Sequence, residues 1–334
     1  GFRGCLGRRM ALIRPDESKA CGRFLYYFFF GQEWRNVIAQ ETLVGSTVDR
    51  IPIAKFPDFP ISVPPLPTQR KIAAILSAYD DLIENNMRRI KILEEMAQNL
   101  YREWFVKFRF PGHQHVRFTD SPLGLIPEGW EVKALGELVN AQYGYTESAQ
   151  EKPIGPKYLR GMDINKTTYI DWDAVPYCPI SDDQFPKYQL SEGDIVIIRM
   201  ADPGKVGIIE KDVSAVFASY LVRLSLKSNR IGPYYLFHFL ISEKYQGYIT
   251  GASTGTTRKS ASAGVLTGID VLIPPEPTLA DFEFQVQTFR SLLNNLLDCN
   301  TTLRRTRDLL LPKLISGDVD VSELDIVIPQ EVGG

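Results

Sequence analysis

The feature that most limits what this chain can fold into is the stretch from Thr68 to Phe108. Ile72, Leu76, Tyr79, Ile83, Asn86, Ile90, Leu93, Ala97, Leu100 and Trp104 recur there at alternating steps of four and three. That 3.5-residue period belongs to a helix that packs along a narrow stripe against another helix. Arg70, Lys71, Asp80, Asp81, Glu84, Arg88, Arg89, Lys91, Glu94 and Glu95 fill the positions between and read as a solvated face. Pro64, Pro65 and Pro67 stop whatever precedes the helix, and Pro111-Gly112 stops the helix itself. About forty residues at 1.5 Å each make a rod of roughly 60 Å, too long for the core of one ordinary domain.

The stretch comes twice. Phe289, Leu293, Leu296, Asn300, Leu303, Arg307, Leu310 and Leu314 repeat the stepping near the other end of the chain. The lead-in repeats as well, Val63-Pro64-Pro65-Leu66-Pro67-Thr68 answering Ile273-Pro274-Pro275-Glu276-Pro277-Thr278 at an offset of 210. Gly45-Ser46-Thr47 answers Gly255-Thr256-Thr257 at that same offset, whereas Leu82–Asn86 answers Leu296–Asn300 at 214, which reads as one helical turn gained. A repeat of this length is a duplicated module. Each copy reads as a globular part followed by a long helix, and the two helices most simply pair antiparallel, with the globular parts at opposite ends. Asn86 and Asn300 stand at matching seam positions, where a buried amide costs stability but fixes register.

The expected organisation is therefore a remnant of a first globular part over 1–63, a long helix over 64–110, a second globular part over 111–273, a second long helix over 274–317 and an acidic tail over 318–334. In the first part Met10–Ile13 and Phe59–Val63 read as strands, and Phe24–Phe30 as a buried helix running toward Trp34 and Ile38. Its counterpart is Tyr234–Leu240. In the second part residues 131–139 suit a short amphipathic helix. Ile195–Arg199, Val206–Ile209, Tyr220–Leu224 and Asp270–Ile273 read as strands. The fold class is α/β in the α+β sense: a mixed curved sheet joined to a pair of long helices. The first part looks like the back half of a module, so a truncated product is expected.

Composition excludes several classes. A formal net charge of -2 shows no general attraction to nucleic acid. Cys5, Cys21, Cys178 and Cys299 are scattered without paired spacing, as expected of reduced thiols in a cytoplasmic protein. No run is apolar for long enough to span a bilayer. There is no phosphate-binding GxxxxGK[ST] loop, no dinucleotide fingerprint and no adenine-methyltransferase Asn/Asp-Pro-Pro-aromatic stretch. His113, His115 and His238 form no metal-ligand spacing. The chain reads as a binder, not a catalyst.

Pro64-Pro65-Leu66-Pro67-Thr68-Gln69-Arg70-Lys71-Ile72-Ala73, with the helix end Leu100-Tyr101-Arg102-Glu103-Trp104-Phe105, resembles the central region of type I restriction-modification specificity subunits. Ile126-Pro127-Glu128-Gly129-Trp130, Gly193-Asp194-Ile195, Gly255-Thr256-Thr257 and Leu311-Pro312-Lys313-Leu314-Ile315-Ser316-Gly317 are similar to the same family. The resemblance covers essentially the whole chain. It implies target recognition domains on a coiled-coil spacer, each reading half of a split site in double-stranded DNA. It also implies docking of methyltransferase subunits, usually two, and of restriction subunits through the complex. S-adenosylmethionine, ATP and magnesium would belong to those partners, with no cofactor and no membrane contact in this chain.

Under that resemblance the expected DNA contacts are Tyr143, Tyr145, Lys152, Lys157, Arg160, Arg199, Lys205, Thr254, Thr256, Thr257, Arg258 and Lys259. Cations suit phosphates, while forked and amide groups suit base edges. Arg199 and Lys205 bracket a loop after a buried strand, which would aim them. The first module keeps Ser46, Thr47, Asp49, Arg50 and Lys55, a weaker cationic set. The alternative is an adaptor or recombination-donor fragment that reads no DNA; a self-contained nuclease has no supporting motif.

Overall fold

Two helices dominate the computed structural model, which describes residues 4–7, 10–45, 49–253 and 259–329. They run Leu66–Tyr101 and Glu276–Ser316, starting 210 residues apart. Every expected seam position on both is buried or half-buried, so the 3.5-residue pattern is a true packing stripe. The offset of 210 carries the seam of one helix onto the other along its whole length. The match of Leu82–Asn86 at 214 therefore needs no inserted turn, because a 4,3 stripe nearly superposes on itself when shifted by four. The chain divides into two compact units, residues 1–91 with 293–334, and residues 92–292.

In the first unit α1 (Gly22–Phe28) and α2 (Gln32–Glu41) precede a 3-10 turn at Ile53–Asp58 and the start of α3 (Leu66–Tyr101). Phe24, Leu25, Tyr27 and Phe28 pack with Ile72, Ala73 and Leu76 of α3 and with Leu314 and Ile315 of the last helix. Full burial of Phe24, Phe28 or Leu76 contributes about 1.5–3 kcal/mol each. The expected single aromatic helix is broken at Gly31, whose ψ of 161° is extended. A Cβ there would lie 3.0 Å from the Phe28 carbonyl and 3.2 Å from Ile315 Cγ2, so the glycine lets the last helix approach closely. Asn86 Nδ2 donates to Asn300 Oδ1 at 2.9 Å, joining the two seam asparagines. Asp80 accepts from Arg307 and, at 2.5 Å, from the Tyr27 hydroxyl, so the two long helices run antiparallel here. Burial, then the Asp80 carboxylate, raises the Tyr27 phenol.

Residues 10–13 and 59–63 are not strands. Met10, Leu12 and Ile13 are exposed, and neither segment finds a strand partner among the described residues. An extended segment becomes a strand only when a neighbour takes its backbone hydrogen bonds.

The second unit opens with the hairpin β1 (Phe118–Ser121) and β2 (Gly124–Pro127). Residues 131–139 are not one amphipathic helix. They form β3 (Glu131–Ala134), a single turn α4 (Leu135–Leu138) and the start of β4 (Val139–Tyr143), because β3 pairs antiparallel with β12 (Asp270–Ile273). Between them come β5 (Lys157–Leu159), α5 (Phe185–Tyr188), β6 (Ile195–Ile198), β7 (Met200–Ala201), β8 (Val206–Ile208), β9 (Ala215–Phe217) and β10 (Leu221–Leu226). Helices α6 (Pro233–Leu240) and α7 (Glu243–Ala252), strand β11 (Lys259–Ser260), α8 (Ala263–Thr267) and finally α9 (Glu276–Ser316) complete the order. The main sheet is antiparallel in the order β4-β10-β6-β8, and β5 pairs parallel with β9. All of β6 is buried, as a central strand of apolar β-branched residues should be.

The aromatic helix α6 is buried against Tyr101, Phe105 and Phe282. Neither α1 nor α6 has a side-chain cap of its own. Gln69 of α3 accepts from Cys21 N at 2.9 Å, and Glu283 of α9 accepts from Tyr235 N at 2.6 Å. Burial pushes the Glu283 carboxyl up to about 7, against these backbone donors. One buried cation ties the helices of this unit to its loops. Arg290 of α9 forms a two-pronged pair with Glu210 at 2.7 and 2.5 Å and donates to the Thr168 carbonyl at 2.9 Å. The Thr168 hydroxyl in turn donates to Glu94 of α3.

Candidate nucleic-acid interface

Strand β6 carries the chain out of the core and delivers Arg199 to the surface. The Arg199 N–H donates to Tyr220 O and its carbonyl accepts from Ala261 N, both at 2.9 Å, so its backbone is clamped on two sides. Its guanidinium lies over the Tyr143 ring at 4.8 Å. Tyr143, at the end of β4, is held by its hydroxyl, which accepts from Ala263 N at 3.0 Å. Next, β7 pairs with β11, setting Lys259 opposite Ala201. Ala201 takes a φ of 71°, which costs a non-glycine residue about 1–2 kcal/mol. The turn closes at Gly204, φ 98°, whose carbonyl accepts from Gln246 of α7 at 2.8 Å, and Lys205 leaves it exposed.

Tyr143, Arg199 and Lys259 thus stand together, with the exposed Tyr220 beside Arg199, while the exposed Lys205 lies across the turn, opposite Ile198. Tyr220 is a contributor the sequence reading passed over; an aromatic at the bend between two buried strands was the available signal. Thr254, Thr256, Thr257 and Arg258, which lead directly into Lys259, lie outside the described residues, as do Ser46 and Thr47 of the first module.

The structure does not bring the remaining expected contacts to this surface. Lys157 is half-buried, donates to Val175 O at 2.7 Å and sits 4.2 Å over the Tyr177 ring. Arg160 is closed on Asp163 by bonds of 2.9 and 3.1 Å, and those bonds raise its pKa further. Tyr145 packs half-buried on Tyr188 at 5.1 Å. Lys152 is exposed in the loop before β5. Lys157 and Arg160 were expected to be free because sequence gives cations without their acceptors.

His238 is buried between Tyr101 and Phe282, and burial, then Arg290, lowers it to about 3, which keeps the ring neutral. His113 Nδ1 stands 2.7 Å from Phe110 O, and His115 is exposed. No group of three or more potential metal ligands occurs among the described residues. No helix among them is long and apolar enough to cross a membrane.

The sequence pattern of the type I restriction modification DNA specificity domain matches residues 3–95 and 127–307. The chain belongs to this family. The MjaIX specificity subunit of Methanocaldococcus jannaschii is 29% identical over 326 residues, covering 93% of this chain and 72% of that protein. The MjaVIII specificity subunit of the same organism is 27% identical over 310 residues, covering 90% and 71%. In fold, the chain is similar to the crystal structure of a type I restriction-modification S subunit from M. genitalium. The TM-score is 0.54 at 18% identity, over 90% of this chain and 74% of that one. Both matched segments of the family pattern include a long helix with the aromatic helix before it, so the family relation spans the duplication.

Proposed function

We propose that this specificity subunit reads one half of a two-part target in double-stranded DNA through the second unit and docks methyltransferase subunits on its long helices. In this reading the chain performs no chemistry. S-adenosylmethionine, ATP and magnesium act in methyltransferase and restriction partners. The observation that carries the reading is the surface of Tyr143, Arg199, Tyr220 and Lys259, with the exposed Lys205 on the adjoining turn. It combines exposed cations for phosphates with clamped aromatic and guanidinium groups for bases. Docking is supported by exposed apolar side chains on α3 and α9. Ile92, Met96 and Leu292 each stand one position before a seam residue, and on antiparallel helices equal displacements fall on the same side.

The test exchanges residues 120–265 for the matching stretch of a relative with a different target, in the assembled methyltransferase complex, and maps methylated adenines across genomic DNA. Transfer of one half of the donor's motif is expected. An unchanged methylated motif would refute the reading and leave the chain as an adaptor. Binding to duplex DNA should also weaken steeply with salt, since phosphate contacts release counterions.

A further inference from the structure

Arg199 differs from the other buried or half-buried arginines of the second unit. Arg160, Arg223 and Arg290 each hold a carboxylate of the protein. Arg199 holds none among the described residues: its Nε is buried without an acceptor, and its Nη1 touches only the Met200 thioether at 3.5 Å. With no carboxylate of the described residues paired to it, this guanidinium keeps its charge and its outer N–H donors for an acceptor that arrives from outside. Its orientation is also fixed before anything binds. The backbone is clamped by Tyr220 and Ala261, and the flat face is laid on Tyr143 at 4.8 Å. Stacking covers the face of a guanidinium and leaves its edge, where the paired N–H donors form a rigid fork. Two groups in duplex DNA match that fork, a phosphate and the N7/O6 edge of guanine. Phosphates tolerate a mobile point charge, and exposed Lys259 on the neighbouring strand and Lys205 on the adjoining turn supply that. A clamped fork is suited to a base edge, which must be met at a set angle.

We infer that Arg199 is a specificity-determining residue that reads one guanine through N7 and O6 in the major groove, with Tyr143 as its platform. This rests on the proposal that the second unit reads DNA. The test uses the full chain assembled with its methyltransferase partner, as wild type, Arg199→Ala and Arg199→Lys. Binding and methylation are measured on duplexes carrying every base at each position of the half-site assigned by the 120–265 exchange. Arg199→Ala should lower discrimination at one guanine by about 10- to 100-fold while the other positions keep their preference. Arg199→Lys keeps the charge and the stem on Tyr143 but loses the fork, and should lose the same discrimination. Replacing that guanine by 7-deazaguanine should weaken the wild type and leave Arg199→Ala unaffected. If Arg199→Ala does not fold, the lysine variant and the 7-deaza duplex decide. The inference is overturned if the half-site contains no guanine, or if the variants keep full discrimination. A uniform loss on all sequences with a shallower salt dependence would also overturn it, marking a phosphate contact. Failure of the exchange itself to move the motif would count against DNA reading by the unit; a transferred motif without single-guanine relaxation counts against Arg199 alone.

Discussion

Replacing Arg290 by methionine should destabilise the second unit by as much as a large core truncation in the sheet. The side chains of Arg290 and Glu210 are only 3% and 7% exposed, and both prongs of the pair are short, at 2.7 and 2.5 Å. Methionine roughly fills the arginine stem but takes both Arg290 prongs from the buried Glu210 carboxylate and the Arg290 donor from the Thr168 carbonyl. Removing one member of a buried, hydrogen-bonded ion pair costs about 3–5 kcal/mol, most of it the penalty on the charge left behind. For a unit of about 200 residues this lowers the melting temperature by about 6–20 °C. Replacing both residues, Arg290→Met with Glu210→Leu, removes the buried carboxylate together with its guanidinium and should recover most of the loss. Thermal and urea unfolding of the wild type, both single variants and the double variant give the coupling, expected at about 3 kcal/mol. A single variant within about 1 kcal/mol of wild type, or a double variant no more stable than Arg290→Met, would refute the reasoning, because Glu210 would then have found water or another cation.

Four further outcomes follow from the same geometry. His238 is held neutral down to about 3 against 6.5 in the unfolded chain, so its contribution is whole above pH 6.5 and is lost as pH falls toward 3. Glu283, raised to about 7, acts oppositely and loses its contribution as pH rises from about 4.5 to 7. Relative to wild type, His238→Phe should therefore gain about 3 kcal/mol more at pH 4 than at pH 8 in urea unfolding; equal differences at both would contradict a neutral buried imidazole. Asn86→Leu strips the partner from a fully buried Asn300 and should cost about 1–3 kcal/mol, with Asn86→Leu/Asn300→Leu recovering it; a double variant that stays as unstable as the single would deny the pair. Gly144→Ala drives a Cβ to 2.2 Å from the Ala218 carbonyl and should cost at least about 1–3 kcal/mol by denaturation, a neutral result meaning that β4 does not pass Ala218 this closely. Ile92→Asp with Leu292→Asp changes exposed positions and should leave the melting temperature almost unchanged. It should abolish co-purification with the methyltransferase subunit, and retained co-purification would remove that docking face.

What the sequence made legible was whatever depends on period and repetition. A 4,3 stripe admits one packing geometry, so the seam from Ile72 to Trp104 and its copy from Phe289 to Leu314 are recovered position by position. Strand Asp270–Ile273 matches its expected span, because a short apolar run bounded by glycine and proline has few alternatives. The same reasoning misplaced Phe59–Val63, which has a similar pattern but no partner. Residues 131–139 failed for the converse reason: β12 imposes a strand on a segment whose own spacing suits a helix. In the candidate site, Arg199 and Lys205 could be aimed from sequence because β6 is unmistakable. Arg160 and Lys157 could not be sorted from them, since their acceptors Asp163 and Val175 are met only in the folded chain. The Arg290 network joins positions 94, 168, 210 and 290, and no local pattern reveals that.

The duplication separates the helical part of each module from the sheet that carries the proposed reading surface. In the first unit α1 packs mainly on helices, against Ile72, Ala73 and Leu76 of α3 and Leu314 and Ile315 of α9, with Val63 and Val321 from the flanking segments. That helical core is complete although residues 59–63 pair with no strand. In the second unit α6 makes the equivalent helical contacts, through Tyr101, Phe105 and Phe282, and only in addition meets the sheet. The second unit thus adds a sheet to helical contacts that the first unit makes without one. The two copies of the module solve the same capping problem with different residues, Gln69 in one and Glu283 in the other. A sheet added to helices needs a joint that fixes its orientation. The buried contacts from Arg290 to Glu210 and Thr168, and from Thr168 to Glu94, supply one. Guanidinium and carboxylate fix direction as well as distance, so this joint sets the angle between the long helices and the loops at 168 and 210, which an apolar pair of equal stability would leave less defined.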